Sequence, residues 1–171
     1  FVADSLEIGA EGNITSGEAE EVGAVAADVT LDASGLAPES PELARAMGEA
    51  ISSRFTLAYD EGQPLRISGL DISGADFGLL GEATVDGVDS NLNTALEVQL
   101  TAEDLSRFGP LSGLDLSGGA QLAIRGSAAL LSGAFDLVFE GTTQDLATGQ
   151  QVVDRMLAGD GRIDVSVQRN E

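Results

Sequence analysis

The sequence contains no cysteine, no histidine, no lysine and no tryptophan, and its 171 residues include only four prolines and one tyrosine. Without Cys there are no disulfides and no thiol nucleophile. Without His there is no imidazole base, and the common zinc and iron sites built on these two ligands are excluded. Freedom from stray thiols fits a periplasmic or extracellular chain, although cytosolic chains can lack Cys too. No run of 18 apolar residues occurs, so no segment reads as a bilayer-spanning helix. The sequence opens on Phe1 without an initiator Met, signal peptide or transit peptide. It is therefore expected to be an excised or processed piece, with any anchor or secretion signal outside it.

Positive charge is also scarce: eight arginines stand against 29 acidic residues, for a formal charge of −21. Such a surface repels nucleic-acid phosphates, so no nucleic-acid partner is expected. It is also a poor match to anionic lipid headgroups, and its plain reading is a solvated exterior. The chain is not read as disordered, because 43% of it is hydrophobic and the apolar residues are periodic. With 22 glycines at short intervals, the pattern predicts many short strands joined by turns.

Alternation carries the strand assignments. Val25, Ala27, Val29 and Leu31 point one way, against Asp28, Thr30 and Asp32. The same pattern recurs over Arg54–Asp60, Leu96–Thr101, Gln121–Arg125, Phe135–Glu140 and Arg162–Gln168. A first strand is expected around Ser5–Ile8, closed by Gly9–Gly12 and Asn13, with an acidic turn over Gly17–Gly23. Leu65–Gly87 reads as shorter strands interrupted by glycines, Val88–Asn93 as a turn and Gly126–Gly133 as a hairpin. Ser40 as cap and Pro41 at the first helical position predict a helix ending near Ser52. A short turn is expected over Ser106–Ser112 and a last helix over about Gln150–Ala158.

One phrase recurs in three versions: Asp28–Leu36 (DVTLDASGL), Glu97–Leu105 (EVQLTAEDL) and Asp136–Leu146 (DLVFEGTTQDL). Each precedes a helical segment, a small-residue break and an alternating strand. The offsets between their starts are 69 and 39 residues, so the first interval holds room for the Gly-rich strands at Leu65–Gly87. Unequal periods argue against a strict propeller or solenoid and for a β meander with helical inserts. The chain is read as a single fragment of a repetitive protein, with repeat-like units at about 24–87, 94–133 and 134–171. The predicted fold class is mainly β: a curved, mostly antiparallel sheet with two or three short helices.

Catalytic signatures are weak. Acidic clusters at Glu18, Glu20 and Glu21, at Asp60 and Glu61, at Asp86 and Asp89, and at Glu103 and Asp104 could offer oxygen ligands to calcium. They sit at turns, where acids are common, and no EF-hand or GGxGxD phrase accompanies them. A glycosidase pair would want an aromatic cleft, and no G-x-S-x-G elbow or phosphate loop is present. No enzymatic activity, metal or cofactor is expected.

The remaining candidate is the apolar face itself. Phe55, Leu57, Tyr59, Leu96, Val98, Leu100, Leu122, Ile124, Phe135, Leu137, Phe139, Ile163, Val165 and Val167 are expected to line one side of the sheet. Leu96, Val98 and Leu100 are expected to share a side with Leu122 and Ile124. Such a face serves either as the closed core of a sandwich or barrel, the commoner use, or as an open curved surface that holds lipid acyl chains.

The phrase Leu100–Gly126 (LTAEDLSRFGPLSGLDLSGGAQLAIRG) resembles the repeats of the TamB (translocation and assembly module subunit) family in its alphaproteobacterial forms. The phrases ending at Leu36 and Leu146 are similar but looser, and the likeness covers most of Ala24–Gln168. The resemblance implies a long periplasmic β protein anchored in the inner membrane, shaped like a folded-over "β-taco" with an apolar, open interior. The wider AsmA-like group is linked to phospholipid transport between the envelope membranes and so to outer-membrane biogenesis. The resemblance further implies phospholipid acyl chains as ligands, and a TamA-like outer-membrane barrel as a partner reached through parts outside this sequence. Two alternatives stand beside it: a chaperone-like scaffold that pairs its strand edges with client strands, and a closed β-sandwich of a surface or adhesin protein.

Overall fold

A computed structural model describes residues 4–16, 22–36, 40–87, 92–129 and 131–170. Nine strands form one antiparallel sheet in strict chain order: β1 (Ser5–Ser16), β2 (Val22–Ser34), β3 (Ala50–Asp60), β4 (Leu65–Ser73), β5 (Phe77–Asp86), β6 (Asn93–Ala102), β7 (Ser117–Ala129), β8 (Ala134–Ala147) and β9 (Asp160–Arg169). The sheet is open and curved, with β1 and β9 as its two edges rather than partners. The described residues therefore form neither a barrel nor a sandwich. Register shifts interrupt the pairing of β1 with β2, β3 with β4, β4 with β5 and β7 with β8. Such bulges bend a strand and sharpen its twist.

Strand parity sorts the connections onto two ends. Every odd-to-even link lies at one end; those at Glu61–Pro64 and around Leu131–Gly133 are short turns. Every even-to-odd link lies at the other end, and three of these four carry helix. The helix α1 (Pro41–Met47) follows β2, a 3₁₀ turn (Leu105–Phe108) and the short α2 (Gly109–Ser112) follow β6, and α3 (Gln151–Leu157) follows β8. The three recurring phrases thus run out of even-numbered strands into helix at the same end. The fourth such link, between β4 and β5, has no helix, and that hairpin fills the longer of the two sequence offsets.

Local chemistry explains the helix starts. Ser40 caps α1 by accepting from the Leu43 N–H at 3.2 Å, and its hydroxyl donates to Glu42 Oε2 at 2.6 Å. That hydroxyl, with a backbone N–H, holds the Glu42 carboxyl below its ordinary range. Asp104 caps the 3₁₀ turn in the same way, accepting from the Ser106 N–H at 2.8 Å and the Ser106 hydroxyl at 2.9 Å. Both bonds favour its charged form and lower its pKa.

Several boundaries differ from the sequence expectation. The first helix stops at Met47, not near Ser52, because Gly48 terminates it at φ 78° and Ala50–Ser52 pair with Asp32–Ser34 of β2. Strand β1 runs through the glycines expected to end it. Gly12 lies opposite Ala27, where an added Cβ would meet the Ala26 carbonyl oxygen, so the glycine permits close pairing. Leu65–Gly87 forms two strands instead of several short ones; Gly69, at φ 59°, sits in the bulge of β4 while Gly78 and Gly81 pair normally. Strand β7 continues past Gly126 to Ala129, which shortens the expected hairpin, while the short turn over Ser106–Ser112 is the helical segment expected after the second phrase. Of the expected turns at 17–23 and 88–93, residues 17–21 and 88–91 lie outside the described residues, while Val22, Gly23 and Asn93 belong to or flank strands.

The buried apolar side chains among the described residues are few and small: Ala33, Leu36, Ala46 and Ala102, with Ala46 at 2% and Ala102 at 3% exposure. All four lie at the helical end. There Phe108 meets Phe77 edge-to-face, ring centroids 6.2 Å apart, and α1 packs on the 3₁₀ turn and α2. Arg107 joins this cluster to the β4–β5 link through Asp76 at 2.7 Å. Its side chain is 15% exposed, and its Nε and Nη1 are enclosed without a hydrogen-bond partner. Removing Asp76 strands a guanidinium in a poorly solvated place, whereas removing Arg107 leaves a carboxylate that water can reach. Asp76→Ala is therefore expected to cost about 1–3 kcal/mol, and Arg107→Met less than about 1 kcal/mol. Urea unfolding of both variants checks the order; a costlier Arg107→Met would show that the pair itself stabilises the rim.

Candidate functional site: an uncovered apolar face

The pairing registers decide which side chains share a face. Val98 lies opposite Ile124 and Leu100 opposite Leu122, while Leu96 lies opposite Gly126. Ile124 in turn faces Phe139, Gly126 faces Leu137 and Ala128 faces Phe135. Leu137 then pairs with Val167, Phe139 with Val165 and Gly141 with Ile163. On the other flank Phe55 lies opposite Val29, Leu57 opposite Ala27 and Tyr59 opposite Val25, and Leu57 also faces Ile67. Ile67 and Ile72 lead through Ala83 and Leu79 of β5 to Leu96 and Leu100 of β6. All fourteen residues singled out in the sequence thus lie on one continuous face.

Sequence reading missed part of that face. Leu6, Ile8 and Ile14 of β1 extend it to the first edge, opposite Ala33, Leu31 and Val25. Ile51, Leu65, Leu70, Phe77 and Val85 belong to it as well. The continued alternation of Leu6, Ile8 and Ile14 across two glycines was the available signal for β1. The bulge at Gly69 shifts the phase of β4, so Leu70 joins Ile67 despite their odd spacing.

Nothing among the described residues covers this face away from the helical end. None of the fourteen is buried; most are half-buried by their neighbours, and Val165 at the β9 edge is 46% exposed. At the β1 edge Ile14 is 73% exposed. A second layer would bring such side chains to the near-zero exposure of a packed core. The surface is an open face of the sheet, not an enclosed cavity. An open pocket of about 800 Å³ lies at the helical end against Glu7, Asp32, Ser52, Ser73 and Arg107, and none of the fourteen residues lines it.

The opposite face is polar and ion-paired. Arg54 of β3 meets Asp71 of β4 at 2.7 Å, and Arg125 of β7 spans Glu97 of β6 at 3.5 Å and Glu140 of β8 at 3.1 Å. These exposed pairs are each worth about 0–1 kcal/mol. Three described members of the acidic clusters considered as metal sites have other uses. Asp60 pairs with Arg66 at 3.4 Å, Asp86 accepts from the Gly87 N–H at 2.8 Å, and Asp104 is the cap described above. Glu18, Glu20, Glu21 and Asp89 lie outside the described residues. Comparison with family models, with curated proteins and with solved structures gives no match to this chain.

Proposed function

We propose that this chain is a segment of a lipid conduit, with acyl chains lying on the apolar face and headgroups in water. The observation that carries the reading is the uncovered apolar face, continuous across nine strands from the β1 edge to the β9 edge. The path runs across the strands, because the apolar surface is unbroken in that direction and is bounded along the strands by helices at one end and turns at the other. Nine strands at the usual spacing give it a length of about 40 Å. Each buried CH₂ contributes about 0.8 kcal/mol without directionality, so many equivalent weak contacts favour sliding over tight capture.

Together with the resemblance of Leu100–Gly126 to TamB repeats, this reading places the chain in an inner-membrane-anchored periplasmic protein that moves phospholipid between envelope membranes. A TamA-like barrel would be engaged by other parts of such a protein. The second reading, a scaffold that captures client strands, is favoured by the edge strand β9, which runs through Asp160–Arg169 with no Lys, Pro or bulge to block pairing.

The deciding experiment places photo-crosslinking residues at Leu96, Val98 and Leu100, and at Glu97 and Gln99 on the opposite face. Copurified phospholipid is then measured by mass spectrometry. The conduit reading expects lipid adducts at the first three positions only. Equal labelling at Glu97 and Gln99 would defeat a one-sided trough, and adducts to peptides in place of lipid would favour the strand-capturing scaffold.

A further inference from the structure

The trough has two unlike lips. At the helical lip its side chains are roofed from β2 to β8: Ala33 and Ala102 are buried, Phe77 meets Phe108 and Thr143 is 4% exposed, whereas Leu6 on the β1 edge is 59% exposed. At the turn lip the links are short, and the trough-facing row there carries three polar side chains, Tyr59, Thr94 and Arg169. Arg169 is the one formally charged residue that the registers place on this face among the described strands. Away from the turn lip its polar side chains are Thr143, beneath the helical roof, and Ser53.

Among the described residues, none of the three turn-lip side chains has a hydrogen-bond or ion-pair partner. Thr94 Oγ1 is enclosed without a hydrogen-bond partner. The side chains of Tyr59 and Arg169 make no hydrogen bond or ion pair among the described residues, whereas Arg54, Arg66 and Arg125 in the sheet interior each reach a carboxylate on a neighbouring strand. All three are donors. They stand on β3, β6 and β9, three strands apart, or roughly 14 Å at the ordinary inter-strand spacing of about 4.8 Å. Oxygen acceptors are the matching chemistry, and an ester-linked phospholipid carries them at its phosphate and glycerol esters. A tyrosine ring with its hydroxyl toward water suits the same boundary.

Resting on the conduit reading, we propose that bound phospholipid has a fixed polarity across the trough. Phosphate and ester groups ride along the turn lip past Tyr59, Thr94 and Arg169, and chain ends point toward the roofed helical lip. Tyr59 and Arg169 act as the accessible stations along the path, with the enclosed Thr94 hydroxyl between them.

The test uses phosphatidylcholine vesicles doped with one of two photoreactive lipids, carrying a diazirine either at the acyl terminus or beside the headgroup, with the full chain and adduct mapping by mass spectrometry. The acyl-terminal probe is expected to label Ile51, Ile72 and Leu100 at least threefold more than Tyr59, Val85 and Phe135, and the headgroup probe the reverse. Equal labelling, or the opposite bias, overturns the fixed polarity while leaving the conduit reading intact; absence of adducts anywhere on the face overturns both. The near-isosteric set Tyr59→Phe, Thr94→Val and Arg169→Leu is expected to abolish the headgroup bias. An unchanged bias overturns the role of these residues. Excess inorganic phosphate should leave labelling unchanged; loss of headgroup labelling would assign Arg169 to free anions instead.

Discussion

Ile124→Glu is expected to lower the phospholipid bound per chain by more than tenfold while the protein stays folded. Ile124 stands in mid-trough between Val98 and Phe139, so a carboxylate there would lie beneath any acyl chain crossing the face. Ions under hydrocarbon cost several kcal/mol unless paired, and displacing even three CH₂ contacts forfeits about 2.4 kcal/mol. The folded chain loses little, because the position is only half-buried and no covering layer depends on it. Gln99→Glu, on the opposite face, is the matched control and should leave lipid content unchanged. Phosphorus content per mole of purified protein reads both. Should the two variants bind alike, the apolar face is not the binding surface.

The largest stability effect is expected at Gly126→Ala, about 2–4 kcal/mol, or a fall in thermal midpoint of roughly 5–15 °C. Gly126 lies within β7 at φ 148°, and a Cβ there would collide with the backbone carbonyl oxygen of Asp136 on β8. That atom cannot yield without breaking the ladder on which Leu137 and Phe139 are positioned. Gly62→Ala provides the comparison: its φ is 74°, but nothing lies within 4 Å, so it pays only the left-handed backbone cost of about 1 kcal/mol. Similar losses at the two sites would mean that close β7–β8 approach is not what Gly126 provides.

Faces were more legible than boundaries. Period-two alternation fixes the relative side of residues within a strand whatever its neighbours do, so Leu96, Val98 and Leu100 could be grouped without coordinates. Joining them to Leu122 and Ile124 needed only that adjacent antiparallel strands keep apolar sides together. Glycine misled the reading in both directions. Gly9 and Gly12 looked like a turn but allow close pairing, whereas Gly69 looked like one break among several but is a bulge that resets the phase of β4. Gly48 ends α1 at a place where helical spacing could have run on, because β2 offers Ala50–Ser52 a ladder.

The amino-acid sequence by itself determined the class of structure, the single apolar side, the cap at Ser40 and the recurrence of helix after three strands. These depend on neighbours a few residues apart. Only the tertiary structure decided that the sheet stays open, since the same alternation lines a closed barrel, and closure depends on whether β1 and β9 meet. It also decided that three helical links gather at one lip and that Tyr59, Thr94 and Arg169 share the other. Residues so far apart in the chain become a row only when every intervening hairpin keeps its register.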